Sequence, residues 1–380
     1  MIVERLSNQI NIREYLKMLC VDSGGVNILS DKAKINLISI KNIHVGAANI
    51  LKQDALSIGA DLAVPRGTVV AKEPYVNTLL IATNAHLKIL SHKELAQPFG
   101  LKELAHTLKK YIHKPVKQDI LIMGIINAND DSFFAQSRFC DENAIIKIEE
   151  MIKAGATIID IGGVSSAPNA QVVTAEEELQ RVQKIIDIIH EQDLYKKAQF
   201  SIDSYQPLVI EYALKSGFKI VNDITGLAND EVCHLCAKYD ATAIIMHMQG
   251  TPQTMQNNPR YDNILTEIYD FLEKRSHKAE SFGIKSVILD VGVGFGKTLK
   301  ENLILIKHLE HFQTLNKRLL IGASRKSMIH KIDNSDVQNR LGGTLALHLE
   351  AIGNGASILR VHDVEEHVQA LKIEQALRDI

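Results

Sequence analysis

The chain has 380 residues, 46% apolar and 23% charged, a globular balance in a length too great for one average domain. A formal net charge of −2 removes any electrostatic argument for nucleic acid or an anionic membrane surface as a partner, so an anion site has to be local. Four cysteines are too few for a disulfide framework, and no apolar run approaches the length that crosses a bilayer. The segment Met1–Leu6 lacks the charged-then-apolar layout of a signal peptide, which makes the cytoplasm the expected compartment.

Residues 1–115 are expected to form a small α/β domain. Asn11 is placed to cap a helix running to Cys20, and Ile35–Ile40 alternates in the manner of a strand. Val45–Ile58 has helical spacing closed by Gly59, and Asn77–Ala82 reads as a further strand. Asn84 is expected to cap a helix ending near Gln97, with Pro98-Phe99-Gly100 separating it from a last helix through Lys110. No catalytic constellation stands out here, and the role of this segment is left unassigned. The lysine-rich, proline-containing stretch Lys109–Lys117 is the expected junction, with a second domain over 116–380.

From Ile120 onward, eight short apolar runs each end in polar residues. Ile120–Ile126 ends in Asn127, Thr157–Ile159 in Asp160, Phe200–Ile202 in Asp203 and Lys219–Val221 in Asn222. Ala243–Met246 ends in His247, Val287–Leu289 in Asp290, Leu319–Ile321 in Gly322-Ala323-Ser324-Arg325-Lys326-Ser327, and Ser357–Leu359 in Arg360-Val361-His362. Short continuous apolar runs are what buried parallel strands require. Amphipathic helical segments lie between them, such as Glu142–Lys153 before Gly155 and Pro207–Lys215 before Gly217. This is the pattern of an α/β protein with an eight-stranded (β/α)8 TIM barrel, preceded by the small α/β domain. An open doubly wound sheet would carry a glycine-rich fingerprint after its first strand, and none is present. In a barrel all eight strand ends share one mouth, so Asn127, Asp160, Asp203, Asn222, Asp290, Lys326, Arg360 and His362 are expected to line one pocket.

Two local motifs are expected to be misleading. Cys233-His234-Leu235-Cys236 lies in a helical segment with no second cysteine pair, and reads as helix packing rather than a zinc site. Val291–Thr298 looks like a phosphate loop, but its spacing fails at Val291, where glycine is needed. Its glycines are expected instead to let backbone approach a flat ligand, with Phe295 packing on its face.

These strand ends carry a family likeness. Asp160-Ile161-Gly162-Gly163, Asp203-Ser204-Tyr205, Asn222-Asp223-Ile224, Met246-His247-Met248-Gln249-Gly250-Thr251-Pro252, Ser324-Arg325-Lys326-Ser327 and Arg360-Val361-His362-Asp363 occur in order. Together they make the stretch from about Ile120 to Lys372 resemble the dihydropteroate synthases. Those transferases of folate biosynthesis condense hydroxymethyl-dihydropterin pyrophosphate with p-aminobenzoate and release pyrophosphate.

The resemblance implies that Asp203, Asn222, Met246, Asp290, Phe295, Gly322 and Lys326 hold the pterin. It implies Asn127, Ser166, Arg360 and His362 for the pyrophosphate, with Mg²⁺ on Asn127. For p-aminobenzoate it implies Ser324, Ser327, Pro168 and Phe133, with sulfonamides competing there. Lys326, Arg360, His362 and Asn127 would be the catalytic set. A homodimer through the later barrel helices is also implied, and Ala346, Leu347, Leu349, Ala351 and Ile352 form an apolar helix consistent with it.

The departures fall in two loops. Asn127-Ala128-Asn129-Asp130-Asp131-Ser132-Phe133-Phe134 lacks the family's proline, at Asp130. Val164-Ser165-Ser166-Ala167-Pro168-Asn169 lacks its arginine, at Ala167. An active synthase is therefore the favoured expectation. A non-catalytic pterin-binding paralogue whose amino-terminal domain serves a partner is the alternative. A pterin-dependent methyltransferase stands third, since it would not need the Ser-Arg-Lys-Ser cluster or the Arg-x-His pair.

Overall fold

A computed structural model describes residues 1–8, 10–112, 119–128, 141–165 and 173–378. It divides into two compact units, Met1–Lys117 with Gln375–Ile380, and Gln118–Glu374.

The amino-terminal unit runs α1 (Ile12–Met18), α2 (Ser23–Ala33), β1 (Ile35–His44), α3 (Val45–Ser57), β2 (Asp61–Ala63), β3 (Tyr75–Thr83), α4 (Asn84–Lys93) and α5 (Leu101–Lys110). Its strands form an antiparallel sheet in the order β1-β3-β2, with Ile35 opposite Thr83 and Leu62 opposite Leu80. Leu51 and Ala55 of α3 pack with Leu80, Leu87, Leu90, Leu101 and Leu108 in a core of its own. Asn11 caps α1 as expected, its side chain accepting from the Glu14 amide at 3.4 Å. The cap of α4 is Thr83 rather than Asn84: the Thr83 hydroxyl accepts from His86 N–H, and the His86 ring accepts from Thr83 N–H. That reciprocal capping box satisfies two orphan donors at once, which a lone asparagine cannot do. Helix α2 and strand β2 were not expected from the sequence. Only Val26 of α2 is buried, so its apolar period is weak, and β2 is three residues long.

The second unit alternates strand and helix throughout. Its elements are β4 (Leu121–Asn127), α6 (Asp141–Ala154), β5 (Ile158–Gly162), α7 (Ala175–Glu191), β6 (Gln199–Asp203), α8 (Pro207–Lys215), β7 (Ile220–Asp223) and α9 (Asp230–Lys238). There follow β8 (Thr242–Met246), α10 (Ile264–Ser281), β9 (Val287–Asp290), α11 (Leu299–Lys307), β10 (Arg318–Ile321), α12 (Ser327–Asp333), α13 (Leu341–Gly353), β11 (Ile358–Val361) and α14 (Val364–Arg378). All eight strands pair in parallel and close as a barrel, with β11 beside β4 and β10 between β11 and β9. The expected (β/α)8 architecture is the observed one.

Inside the barrel, Met123, Ile158, Ile220, Ile244, Ile288, Leu320 and Ile358 meet in an apolar plug, with Ser201 buried on the one strand that contributes no apolar residue. Outward-facing residues such as Ile159, Phe200, Ile202, Val221 and Leu289 pack under the helices in a larger cluster. Among the described residues no helix is long and apolar enough to cross a membrane.

Candidate active site

Because side chains alternate along a strand, the residue two positions beyond each plug residue points into the barrel one layer nearer its carboxyl mouth. Ile158 leads to Asp160, Ser201 to Asp203, Ile220 to Asn222, Ile244 to Met246, Ile288 to Asp290, Leu320 to Gly322 and Ile358 to Arg360. The register completes the ring. Asn127 lies opposite Gly162, Gly162 opposite Asp203, and Asp203 opposite Asn222. The apolar floor thus carries a layer built from seven strands, five of which contribute a polar side chain: Asp160, Asp203, Asn222, Asp290 and Arg360.

Arg360 organises that layer. Its Nε donates to Asp160 Oδ2 at 2.6 Å and its Nη2 to Asp203 Oδ2 at 2.6 Å. Asn222 Nδ2 donates to the same Asp160 oxygen at 3.1 Å. Burial disfavours the guanidinium, but the two carboxylates outweigh it and hold Arg360 above its ordinary pKa. Burial pushes Asp203 up to about 7 against the pull of Arg360, with Asp160, Glu178 and Asp223 adding to the rise.

Lys326 follows β10, the strand next to that of Arg360, at the amino terminus of α12. Burial lowers its pKa to about 8, opposed by Asp290. Its Nζ donates to the Val293 carbonyl and sits 4.5 Å from the centroid of the Phe295 ring. Asp290 Oδ1 accepts from the Gly292 amide at 2.7 Å, and burial raises this carboxyl above its ordinary value against Lys326. Met246 is buried opposite Asp290 in the register, and Gly322 is set beside the Arg360 side chain.

Two of the three glycines after β9 have a packing reason of their own. A Cβ on Gly292 would stand 1.9 Å from the His247 carbonyl oxygen, and one on Gly296 2.6 Å from that of Gln249. Both have positive φ. They let this loop lie against the backbone of the loop after β8, while a Cβ on Gly294 would stand 3.1 Å from the Lys326 side chain. Lys297 fastens the two loops. Its buried Nζ reaches the carbonyls of Gly292 and Phe295 at 2.9 Å each, that of His247 at 3.3 Å and His247 Nδ1 at 3.1 Å. Burial lowers Lys297 to about 7, and burial with the Lys297 charge lowers His247 to about 3.

After β10, the four polar residues have different surroundings. Ser324 Oγ is 2.9 Å from His362 Nδ1 and accepts from the His362 amide at 3.3 Å, so the structure places it with His362. Burial, reinforced by Arg360, lowers His362 to about 4. Ser327 is exposed at the start of α12. Arg325 turns away into structure. It grips Asp363 through Nε at 2.9 Å and Nη2 at 2.6 Å, and its Nη1 donates to the carbonyls of Val337 and Gln338.

Asn127 is half-buried at the end of β4. Phe133, Ser166 and Pro168 lie outside the described residues, as do Asp130 and Ala167. Asp160 was expected in the pocket but without a specific role, which its bond to Arg360 supplies. Sequence reasoning missed Lys297, for which only an unusual lysine after a triple-glycine loop gave a signal. Cys233 and Cys236 are buried in α9, where burial pushes Cys236 up to about 12, the state of an inert packing thiol. Among the described residues, no group of three or more His, Cys, Asp or Glu side chains could hold a metal ion.

The family model described as pterin binding enzyme matches residues 123–362. The bifunctional dihydropteroate synthase/dihydropteroate reductase of Helicobacter pylori is 39% identical over 379 residues, covering 100% of both chains. The dihydropteroate synthase of Escherichia coli is 40% identical over 261 residues, covering 67% of this chain and 90% of its own. Among solved structures, Yersinia pestis dihydropteroate synthase in a sulfonamide drug complex superposes with a TM-score of 0.66 at 36% identity, over 69% of this chain and 95% of that one. The Thermus thermophilus dihydropteroate synthase in complex with 4-aminobenzoate superposes with a TM-score of 0.61 at 34% identity, over 68% and 95%.

Proposed function

The chain belongs to the pterin-binding enzyme family, and from that premise we infer its reaction: it is a dihydropteroate synthase, a transferase of folate biosynthesis. It joins hydroxymethyl-dihydropterin pyrophosphate to p-aminobenzoate. The observation that carries this reading is the polar layer at the barrel mouth, where Arg360 and Lys326 stand among Asp160, Asp203, Asn222 and Asp290.

A pterin ring presents amino and ring N–H donors beside a carbonyl. Carboxylates and an amide at Asp203, Asn222 and Asp290 match the donors, and the Lys326 ammonium matches the carbonyl. Arg360 offers a planar fork to phosphate oxygens, which compete for it with Asp160 and Asp203. His362, neutral at pH 7, contributes a ring N–H rather than a full charge. The scissile C–O bond breaks with its electron pair leaving on pyrophosphate. The exocyclic methylene is left as a resonance-stabilised cation, to which the arylamine nitrogen bonds before losing a proton. The side chains bind, orient and neutralise; none acts as nucleophile.

Asn127 brings an amide oxygen, a hard donor of the kind Mg²⁺ takes together with phosphate oxygens and waters, so the donor set fits that ion. Bound there, Mg²⁺ would supply charge neutralisation to the leaving group. Of the residues expected on a dimer face of α13, Ala351 and Ile352 are buried in the core, which leaves exposed Ala346 with half-buried Leu347 and Leu349 as the apolar surface suited to a homodimer.

Incubation of the full chain with the pterin pyrophosphate, p-aminobenzoate and Mg²⁺ tests the reading. Dihydropteroate should form, Lys326→Ala should abolish turnover, and a sulfonamide should compete with the arylamine. Pterin binding without product would overturn the synthase reading in favour of the non-catalytic alternative or the methyltransferase.

A second activity follows from one observation. The match to the Helicobacter pylori protein, whose name includes dihydropteroate reductase, extends over the amino-terminal unit that the E. coli match leaves out. We propose that residues 1–115 take part in reducing the dihydropterin product with a two-electron donor. Supplying reduced nicotinamide cofactor after synthesis, and assaying for the tetrahydro product, tests it. A truncation starting at residue 116 that still reduces the product would remove this role.

A further inference from the structure

We propose that His348 and His367 form a buried imidazole relay that positions the loops carrying Lys326 and His362. His348 lies on α13 and His367 on α14, each 1% exposed. The Ala323 amide donates to His348 Nε2 at 3.0 Å. A backbone N–H can only donate, so this nitrogen is bare and the proton of a neutral ring sits on Nδ1. His348 Nδ1 then donates to His367 Nε2 at 2.9 Å. The same logic puts the second proton on His367 Nδ1, which donates to the Asp363 carbonyl. An amide at one end and a carbonyl at the other fix the direction of the whole chain.

The relay spans the two loops that matter. Ala323 precedes Ser324 and Lys326, and Asp363 follows His362. The Asp363 carboxylate grips Arg325, closing the bracket from the other side. Neither imidazole belongs to the polar layer facing the substrates, so both are positioning residues.

The relay exists only in neutral form, because a proton on His348 Nε2 would set two donors against each other. Burial keeps His348 well below its ordinary pKa, and the neighbouring His367, Lys326 and His362 act in the same direction. Burial likewise lowers His367. Asp363 and Glu366 oppose that and Arg325 supports it.

The structural half of the test needs no activity. In the full chain labelled with ¹⁵N-histidine, His348, assigned by its loss in His348→Gln, should show a protonated Nδ1 and a bare Nε2 from about pH 8 to about pH 6, across the ordinary histidine range. A bare Nδ1, or an imidazolium near pH 7, overturns the relay.

The kinetic half rests on the synthase reading. His348→Leu should lower kcat/KM for the pterin substrate about ten- to a hundredfold in protein still folded by circular dichroism, the scale of a small displacement of reacting groups. His348→Gln, which keeps an acceptor for Ala323, should recover part of the loss. The acid limb of the pH profile should flatten in His348→Leu. A folded His348→Leu protein with the wild-type kcat/KM and pH profile overturns the positioning role. Should His348→Leu not fold, His348→Gln and His367→Gln carry the same comparison. A wild-type chain that makes no dihydropteroate defeats the reaction reading instead, and the spectra still decide the relay.

Discussion

Two regions at the barrel mouth bury a cation, and they do so in opposite ways. Around Arg360 the partners are carboxylates, Asp160 and Asp203, and the charge is held firmly. Around Lys297 the acceptors within hydrogen-bond distance are neutral, three carbonyls and an imidazole, and burial lowers the ammonium to about 7. On the proposed function the first arrangement would exchange its partners, because an incoming phosphate would replace a carboxylate with another anion. The second cannot, since its acceptors are the backbone of the loops themselves. Burial of a cation beside a pocket therefore does not by itself mark it as a substrate contact.

Arg360→Ala should break this contrast most severely. Turnover should fall by two to three orders of magnitude, on the order of 10²–10³, as for loss of a donor aimed at developing charge. The buried Asp160 and Asp203 would lose their counter-ion, at a cost of about 3–5 kcal/mol in chemical unfolding.

Lys297→Met should be mainly a stability variant. Leaving buried acceptors unpaired costs about 1–3 kcal/mol for each group not rescued by water. Its pH dependence gives a sharper signature. Lys297 binds its proton more weakly in the folded chain, near 7, than in the unfolded chain, near 10.5. Between those values the unfolded state holds more protons, so this lysine makes wild-type stability rise with pH. Lys297→Met should remove that part of the slope, measured by urea unfolding at several pH values. An unchanged slope would mean that the ammonium is not desolvated as described.

Arg325→Lys comes next. It loses the paired bond to Asp363 and contacts to two carbonyls, about 1.5–3 kcal/mol by thermal unfolding. Its effect on kcat/KM should be smaller than that of Arg360→Ala, although both are arginines at adjacent strand ends. The smallest effect is expected from Ala167→Arg, which restores a loop cation. Pterin affinity by calorimetry should stay unchanged, and any response should appear in kcat.

Much of the site is legible from strand phase. Asp160, Asp203, Asn222, Asp290 and Arg360 are each two residues beyond a plug residue, and that period is a local property of extended chain. What strand phase does not contain is who bonds whom. Arg360 and Asp160 are 200 residues apart in the chain, and Arg360 and Asp203 are 157 apart. Ser324 and His362, 38 residues apart, are likewise joined, with 2.9 Å between the hydroxyl and the ring nitrogen. That Gly292 and Gly296 make room for the His247 and Gln249 carbonyls is also visible only in the fold.

By itself, then, the sequence determined the eight-unit barrel, the separate amino-terminal unit and the membership of the polar layer, because apolar period and helix punctuation act over neighbouring residues. Only the tertiary structure decided that Arg360 is shared by two carboxylates, that Lys297 and Arg325 are fasteners, and that two histidines on different helices form one relay. Those assignments depend on barrel closure, which brings distant strand ends within hydrogen-bond reach of one another.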